Sequence, residues 1–375
     1  MRAMEQIRRN VLVGLVLCLT TLYASAVEPV EEYELDHVVT TNASINCIFQ
    51  DRDGVVWYGT RSGLYRYMGS ASAMGEVLFS GENIDDIQQD SEGVLWVSRY
   101  SQYVAYDPRT RSVVEPSQMG ELPILKMAVD EDGGRWWIND EGLWLSLPRM
   151  GQTPIYVDSV ESSDAIYDIK SHKRVLYMLY RTGEVRRYAY DEAGRTIRRA
   201  SIPSPDSESD APYSLIFIDS RDAVWLSQGN RGVWHLPSGA EGYVLYTAEQ
   251  VDRRILPGTV HSIVEDNRGS VWIASDHGGI TLCHAGGGMS YLKNDPTNSN
   301  TLVSDNVTAL SRDAEGNVWV GYNKRGISLW RSEQRAYTIN HLRELKRRNL
   351  ASDINCTAES GDGVLWFGTD GYGLF

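Results

Sequence analysis

The chain has 375 residues and a formal net charge of −14, with 50 acidic against 36 basic residues. This acidic balance disfavours nucleic acid and anionic membrane surfaces as partners, and it leaves neutral ligands such as sugars open. A chain of this length can bury a large core without disulfides, and its four cysteines imply no disulfide framework.

The first predicted element is a signal peptide over residues 1–26. Three arginines precede an apolar run of 12 residues, Val11–Leu22, and the small residues Ala24–Ala26 provide a cleavage site. Such a run is too short to span a bilayer. The mature chain is therefore predicted to start at Val27 and to be periplasmic, with a net charge of about −16 because three arginines and one glutamate are removed.

From residue 51 onwards the chain repeats Asp, two residues, Gly, two residues, Trp. Eight copies, 39 to 48 residues apart, are anchored on Trp57, Trp96, Trp136, Tyr177, Trp225, Trp272, Trp319 and Trp366. Two copies are degenerate, since Tyr177 takes the Trp place and Ser360 takes the Asp place before Trp366. A period of about 40–50 residues with several short strands per unit predicts an all-β fold, a β-propeller.

Each repeat predicts a blade of four antiparallel strands. An apolar strand leads into an Asp-Gly hairpin, the second strand carries the Trp, and a second Gly turn precedes the third strand. A fourth strand is predicted near Tyr243, Tyr291 and Tyr337 in three of the units. The Trp residues are interpreted as wedges between blades, because burying an indole removes a large apolar area from water.

No metal or cofactor is predicted. The acidic turns at 51–54 and 130–133 lack the further oxygen ligands and the bidentate Glu of a calcium loop. Cys47, Cys283 and Cys356 remain in the mature chain, and two of them fall on predicted inner strands, where small buried core residues are expected.

The number of blades is left open by strand counting. Residues 27–335 hold seven units, and residues 336–375 are either the start of a second propeller or a closing eighth blade. The segment at 33–37 reads as an outer strand with no blade before it, so it can pair with the eighth unit in the second case.

The motifs resemble the two-component regulator propeller repeat. The stretches at 57–67, 272–280, 294–310 and 366–374 carry this resemblance, whereas 171–177 has lost both Asp and Gly and 219–225 has Asp in the Gly place. We expect the two departing blades to form with altered turns.

The resemblance implies the periplasmic sensor region of a hybrid two-component system. It implies seven-bladed propellers in pairs, followed by a membrane helix and a histidine kinase beyond residue 375, with dimerisation through those downstream domains. The present segment is then not an enzyme, and membrane contact occurs only through the missing C-terminal region.

Ligand residues are predicted on one face of the propeller. The turns after the second strand and the inter-blade connections share a face and vary between units, whereas the Asp-Gly turns on the other face are nearly constant. The candidates mix amides, guanidinium groups and aromatic rings, as an oligosaccharide requires: Arg61, Arg99, Tyr100, Asn139, Arg181, Gln228, Asn230, Asp276, His277, Tyr322, Asn323, Lys324 and Asp370.

Two other functions remain open. One is an exported platform that binds a protein partner. The other is a glycan-active enzyme whose acidic residues act as acid and base, although the sequence lacks the motifs HExxH, GxSxG and CxxC.

Overall fold

The structure is a computed structural model. It describes residues 33–69, 77–114, 122–147, 153–160, 165–191, 197–207, 209, 211–332, 354–360, 365–369 and 373–374. The predicted signal peptide lies outside these residues. The chain divides into two compact units, Met1–Ser332 and Glu333–Phe375.

Between residues 33 and 332 the described chain forms seven four-stranded antiparallel sheets, the blades of a β-propeller. The strands, in chain order and numbered β1 to β28, are Leu35–Val39, Ile45–Gln50, Val56–Thr60, Gly63–Arg66, Val77–Leu78, Ile84–Gln89, Leu95–Arg99, Gln102–Asp107, Ser112–Val114, Lys126–Val129, Arg135–Asn139, Gly142–Ser146, Ile155–Asp158, Ile166–His172, Val175–Tyr180, Val185–Tyr190, Ile197–Ile202, Tyr213–Ile218, Val224–Gln228, Gly232–Leu236, Val244–Tyr246, Val260–Glu265, Val271–Ser275, Gly279–Cys283, Met289–Leu292, Val307–Arg312, Val318–Tyr322 and Ile327–Trp330. Blades one to six use β2 to β25 in sets of four.

Blade seven is closed by the first strand of the chain. Its order is β1-β28-β27-β26, and Leu35 pairs with Trp330. The ring therefore has seven blades, and the eight-bladed alternative is not the one observed. The segment near Tyr337, predicted as the fourth strand of this unit, lies outside the described residues, and β1 occupies the fourth-strand position and joins the two ends of the ring.

The Asp of each repeat ties its turn to the anchor Trp. In blade one, Asp51 Oδ1 accepts bonds from the Asp53 and Val55 N–H groups at 3.0 and 2.9 Å, and Oδ2 accepts from Trp57 Nε1 at 2.8 Å. The same Asp–indole bond occurs in blades two, three, five, six and seven. In these six blades the repeat motif is thus accounted for as architecture.

The two departing blades form with altered turns, as predicted. Asp222, in the Gly place, adopts φ 63°, and Lys173 in the shortened turn of blade four adopts φ 56°. Positive φ is unusual for side-chain-bearing residues, and Asp tolerates it better than most. The two residues also pair with each other, Lys173 Nζ to Asp222 Oδ1, at 2.6 Å.

Neighbouring blades cover the free edges of each other's inner strands. Thr308 Oγ1 donates to Ile45 O at 2.6 Å, which links blade seven to blade one. Asn46 Nδ2 donates to Ile84 O at 2.9 Å in blade two. An inner strand is an edge strand, so these side chains satisfy backbone groups that no further strand pairs with.

The second unit contains a three-stranded sheet of β29, β30 and β31, Ile354–Glu359, Leu365–Thr369 and Gly373–Leu374. Its strands follow the order of the first three strands of a blade, and Cys356 lies on the first of them. Whether 336–375 opens a second propeller stays a prediction.

Candidate functional site

Six of the seven inner strands of the propeller ring contain an extra residue directly after their first one. The flanking residues pair with consecutive residues of the second strand, so the residue between them faces no partner, as in a β-bulge. We call these six the mouth ring: Asn46, Asp85, Tyr167, Ser214, His261 and Thr308.

The mouth ring lies on the face where a ligand was predicted. In blade one Ile45, just before the bulge, pairs with Thr60, the last residue of the second strand. The bulge is therefore level with the hairpins that join second and third strands. Because inner strands surround the propeller axis, the ring marks the entrance of the central channel on this variable face.

Blades three and four place a cation–aromatic group at the entrance. The Arg181 guanidinium lies 5.3 Å from the Tyr167 ring centroid. Lys126 Nζ, from the neighbouring inner strand, donates to Tyr167 O at 2.8 Å. Tyr167 is half-buried, and a partly accessible aromatic ring beside donors is suited to the apolar face and the hydroxyls of a sugar.

Blade two supplies acidic and amide groups. Asp85 is exposed and accepts a bond from Asn83 Nδ2 at 2.6 Å. Asn83 Oδ1 in turn accepts from Asn46 Nδ2 at 3.0 Å. Together these residues provide planar groups with both hydrogen-bond donors and acceptors on adjacent blades.

Two carboxylates lie one residue further along their strands. Asp86 Oδ2 accepts bonds from Tyr103 Oη at 2.6 Å and Gln88 Nε2 at 2.7 Å. Asp168 lies 3.5 Å from Lys170 Nζ, and its charge raises the pKa of this lysine. Burial, followed by the charge of Asp86, raises the pKa of Tyr103. Both carboxylates are therefore already engaged by neighbouring side chains of the inner wall.

Most of the predicted ligand residues lie in hairpins of the variable face. Six are exposed: Arg61, Tyr100, Arg181, Asn230, His277 and Lys324. Among these, Arg181 contacts a mouth-ring residue, and His277 Nδ1 lies 2.7 Å from the carboxylate of Asp276.

Three predicted residues are half-buried and already paired. Arg99 lies 3.0 Å from Glu82 and 5.0 Å from the Phe79 ring centroid. Asn323 accepts a bond from Ser44, across the junction of blades seven and one. Asp276 is the third, and Asp370 lies outside the described residues.

Three further predicted residues are buried in the fold. Asn139 accepts a bond from Trp144 Nε1 at 3.1 Å, and Gln228 accepts one from Trp234 Nε1 at 2.8 Å. Tyr322 belongs to the core of blades six and seven. Their side chains hold neighbouring elements in place, and these three residues are therefore not among the proposed ligand contacts.

The mouth ring itself was missed by the sequence reasoning, although a signal exists. Five of its members stand eleven residues before the anchor Trp of their repeat, and all five are polar residues that directly follow an apolar or aromatic first residue of the strand. Tyr167 stands ten residues before Tyr177, where the turn has lost a residue.

The opposite face is locked by contacts between successive turns. Arg52 donates to Ser91 O and Glu92 O at 2.8 and 2.9 Å, and Ser220 donates to Glu265. Both sets of bonds connect a turn of one blade to the next blade. Within the described residues no cluster of side chains is suited to a metal ion, and no helix has the length and apolarity to cross a membrane.

Residues 40–62, 255–277 and 301–324 match the family model described as the two-component regulator propeller. Each match covers an inner strand, its Asp-Gly turn and the Trp-bearing strand. No curated protein matches the sequence.

Several solved propellers are similar in structure. The extracellular domain of the putative hybrid two-component system BT4673 from B. thetaiotaomicron shares 18% identity at a TM-score of 0.61, over 90% of this chain and 44% of that one. The corresponding domain of BT3049 from the same organism shares 15% identity at a TM-score of 0.58, over 91% of this chain and 47% of that one. Virginiamycin B lyase from Staphylococcus aureus shares 11% identity at a TM-score of 0.55, over 79% of this chain and 97% of that one.

At these identities the similarities show a shared fold. The chain spans less than half the length of the two extracellular domains from B. thetaiotaomicron.

Proposed function

We propose that the chain, three stretches of which match the two-component regulator propeller, is the periplasmic, ligand-sensing part of a hybrid two-component system. In this proposal the ligand is an oligosaccharide, and the segment itself performs no chemistry. The observation that carries the proposal is the mouth ring, a set of polar bulge residues at the channel entrance on the variable face.

The chemistry of the entrance supports a sugar ligand. Arg181 and Tyr167 present a stacked cation and ring, and Asp85 and Asn83 present acceptors and donors on a nearby blade. Such groups recognise vicinal hydroxyls and ring C–H faces without needing a charge on the ligand.

Signalling follows from differential binding in this proposal. The whole protein carries a membrane helix, a histidine kinase and a dimer interface in addition to residues 1–375. A ligand that binds one arrangement of the sensor more tightly than another shifts the kinase between two states.

The test is calorimetric titration of the chain with a panel of neutral and acidic oligosaccharides. We expect saturable binding of at least one member, weakened roughly tenfold or more by Arg181→Ala, because this change removes a charged donor at the entrance. Arg221→Ala is the matched control, since Arg221 lies on the opposite face and donates to Ala285 O. No binding by any glycan to the folded chain would count against the ligand class, and turnover of a glycan would favour the enzyme alternative.

A further inference from the structure

The interface between blades four and five is underfilled. At four other interfaces an anchor Trp packs against an aromatic ring of the next blade, with centroids 5.2 to 6.4 Å apart. At this interface the anchor of blade four is Tyr177. The facing position in blade five is taken by Leu236, which is equivalent to Trp330 of blade seven. Leu236 and Trp330 each pair with the residue that precedes the anchor Trp of their own blade. Both replacements are smaller, and a cleft of about 580 Å³ opens beside them.

The walls of this cleft, which we call the blade 4/5 cleft, are largely flat and apolar. Trp234, Tyr243 and Tyr177 contribute rings, and three prolines at 203, 205 and 237 contribute rigid edges. The Trp234 indole N–H is already bound to Gln228, so this side chain offers its ring face. The volume falls within the range of about 300–1,000 Å³ typical of small-molecule sites.

One cation in the cleft has no matching anion. Arg187 pairs across the sheet with Tyr177, and the structure records no ion pair for it among the described residues. Asp222, also on the wall, is engaged by Lys173 and His172, and Glu241 is exposed at the rim. A guanidinium among aromatic rings that forms no ion pair with the nearby carboxylates can still pair with an incoming anion.

Two buried donors in the walls also lack acceptors. Neither Arg187 Nε nor the Tyr243 hydroxyl has a hydrogen-bond partner in the part of the chain that the structure describes. Burial raises the pKa of Tyr243, so its hydroxyl keeps its proton and remains a donor. An unpaired buried donor costs free energy that an incoming acceptor can recover after a small side-chain adjustment.

We propose that the blade 4/5 cleft binds a small organic acid that carries one carboxylate on a planar ring. The carboxylate is held by Arg187, with Tyr243 as a second donor, and the ring packs against Trp234. This site goes beyond the proposed sensing function, because its lining comes from the outer three strands of the blades and their loops and shares no residue with the mouth ring.

The probe pair is indole-3-acetate and its uncharged isostere indole-3-acetamide, each titrated into the full chain by ligand-observed NMR. We expect the acid to bind with a Kd below about 1 mM, a value ordinary for a ligand of this size. The amide should bind about tenfold more weakly or worse, because only the carboxylate forms a charge-assisted bond.

Two variants locate the site. Arg187→Met removes the cation, and Tyr177→Trp fills the cleft with the residue that the repeat uses elsewhere. Each should weaken binding of the acid about tenfold or more, whereas Arg253→Met, an exposed arginine outside the cleft, should leave it unchanged.

Three outcomes would overturn the proposal. They are equal affinity for the acid and the amide, unchanged binding of the acid in both cleft variants, and no binding of the acid up to about 10 mM. If Arg187→Met does not fold, Tyr177→Trp still decides the outcome, because it adds apolar volume and removes no cation. Binding of oligosaccharides at the mouth ring is measured separately, so either proposal can fail alone.

Discussion

At the residue scale, the repeated Asp has two structural tasks, one for each carboxylate oxygen. One oxygen closes the turn through two backbone N–H groups, and the other holds the indole of the anchor Trp. Burial of the Asp is compatible with its charge because both oxygens are hydrogen-bonded.

We expect Asp51→Ala to lower the free energy of unfolding by about 2–4 kcal/mol, since it leaves buried donors unpaired. Asp53→Ala is the matched control in the same turn, where the side chain is exposed, and it should change stability by less than about 0.5 kcal/mol. Urea denaturation followed by Trp fluorescence measures both, and similar values for the two variants would contradict the assigned role.

Cys47 and Cys283 are expected to be unreactive while the chain is folded. Burial raises the pKa of the Cys283 thiol to about 12 and that of Cys47 well above its usual range. Less thiolate is then present at any given pH up to those values, so alkylation slows. Iodoacetamide labelling at pH 8, read at each cysteine by mass spectrometry, should be at least about tenfold slower than in urea. Equal rates in both states would refute this.

The sequence predicted part of this residue chemistry. The Asp-to-backbone bond follows from known turn preferences, whereas the Asp-to-indole bond depends on how two strands of one hairpin are placed, which spacing alone does not specify. For the same reason Asn139 and Gln228 looked like surface residues. Their positions in hairpins were right, but a Trp on the third strand folds back onto each of them.

At the element scale, the first strand is the closure of the ring. β1 pairs with β28 although the two are nearly 300 residues apart in sequence, so the last blade forms only when both ends of the first unit are present. Strand counting identified β1 as an outer strand but could not choose its partner, because an outer strand can add to any free third strand.

A disulfide across this closure should stabilise the propeller. His37 and Ser328 are Cα partners in the β1–β28 pairing, so His37→Cys with Ser328→Cys places two thiols on facing positions. We expect the disulfide to raise the free energy of unfolding by about 2–4 kcal/mol and the Tm by roughly 4–10 °C in the oxidised form.

The same double variant in reductant is the control, measured by differential scanning calorimetry. An oxidised form that forms the bond and yet melts at the temperature of the reduced form would argue against β1 as the strand that holds the ring closed.

At the scale of the whole molecule, the two faces of the propeller are built for different purposes. One is tied from blade to blade by repeated turn contacts, and the other carries the mouth ring and variable hairpins. The all-β propeller, and the grouping of its hairpins on two faces, could be predicted from the period and the strand order. The bulges could not, because a bulge is a pairing irregularity, and a polar residue after the first residue of a strand does not by itself indicate one.

The most direct test of this account is hydrogen–deuterium exchange of the chain with and without a saturating oligosaccharide from the titration panel. We predict slower exchange in the variable-face hairpins at 99–102 and 180–184 and at the start of the inner strands. The Asp-Gly turns at 51–54 and 266–269 should be unchanged. Protection confined to those turns would contradict the assignment of the mouth ring as the ligand site.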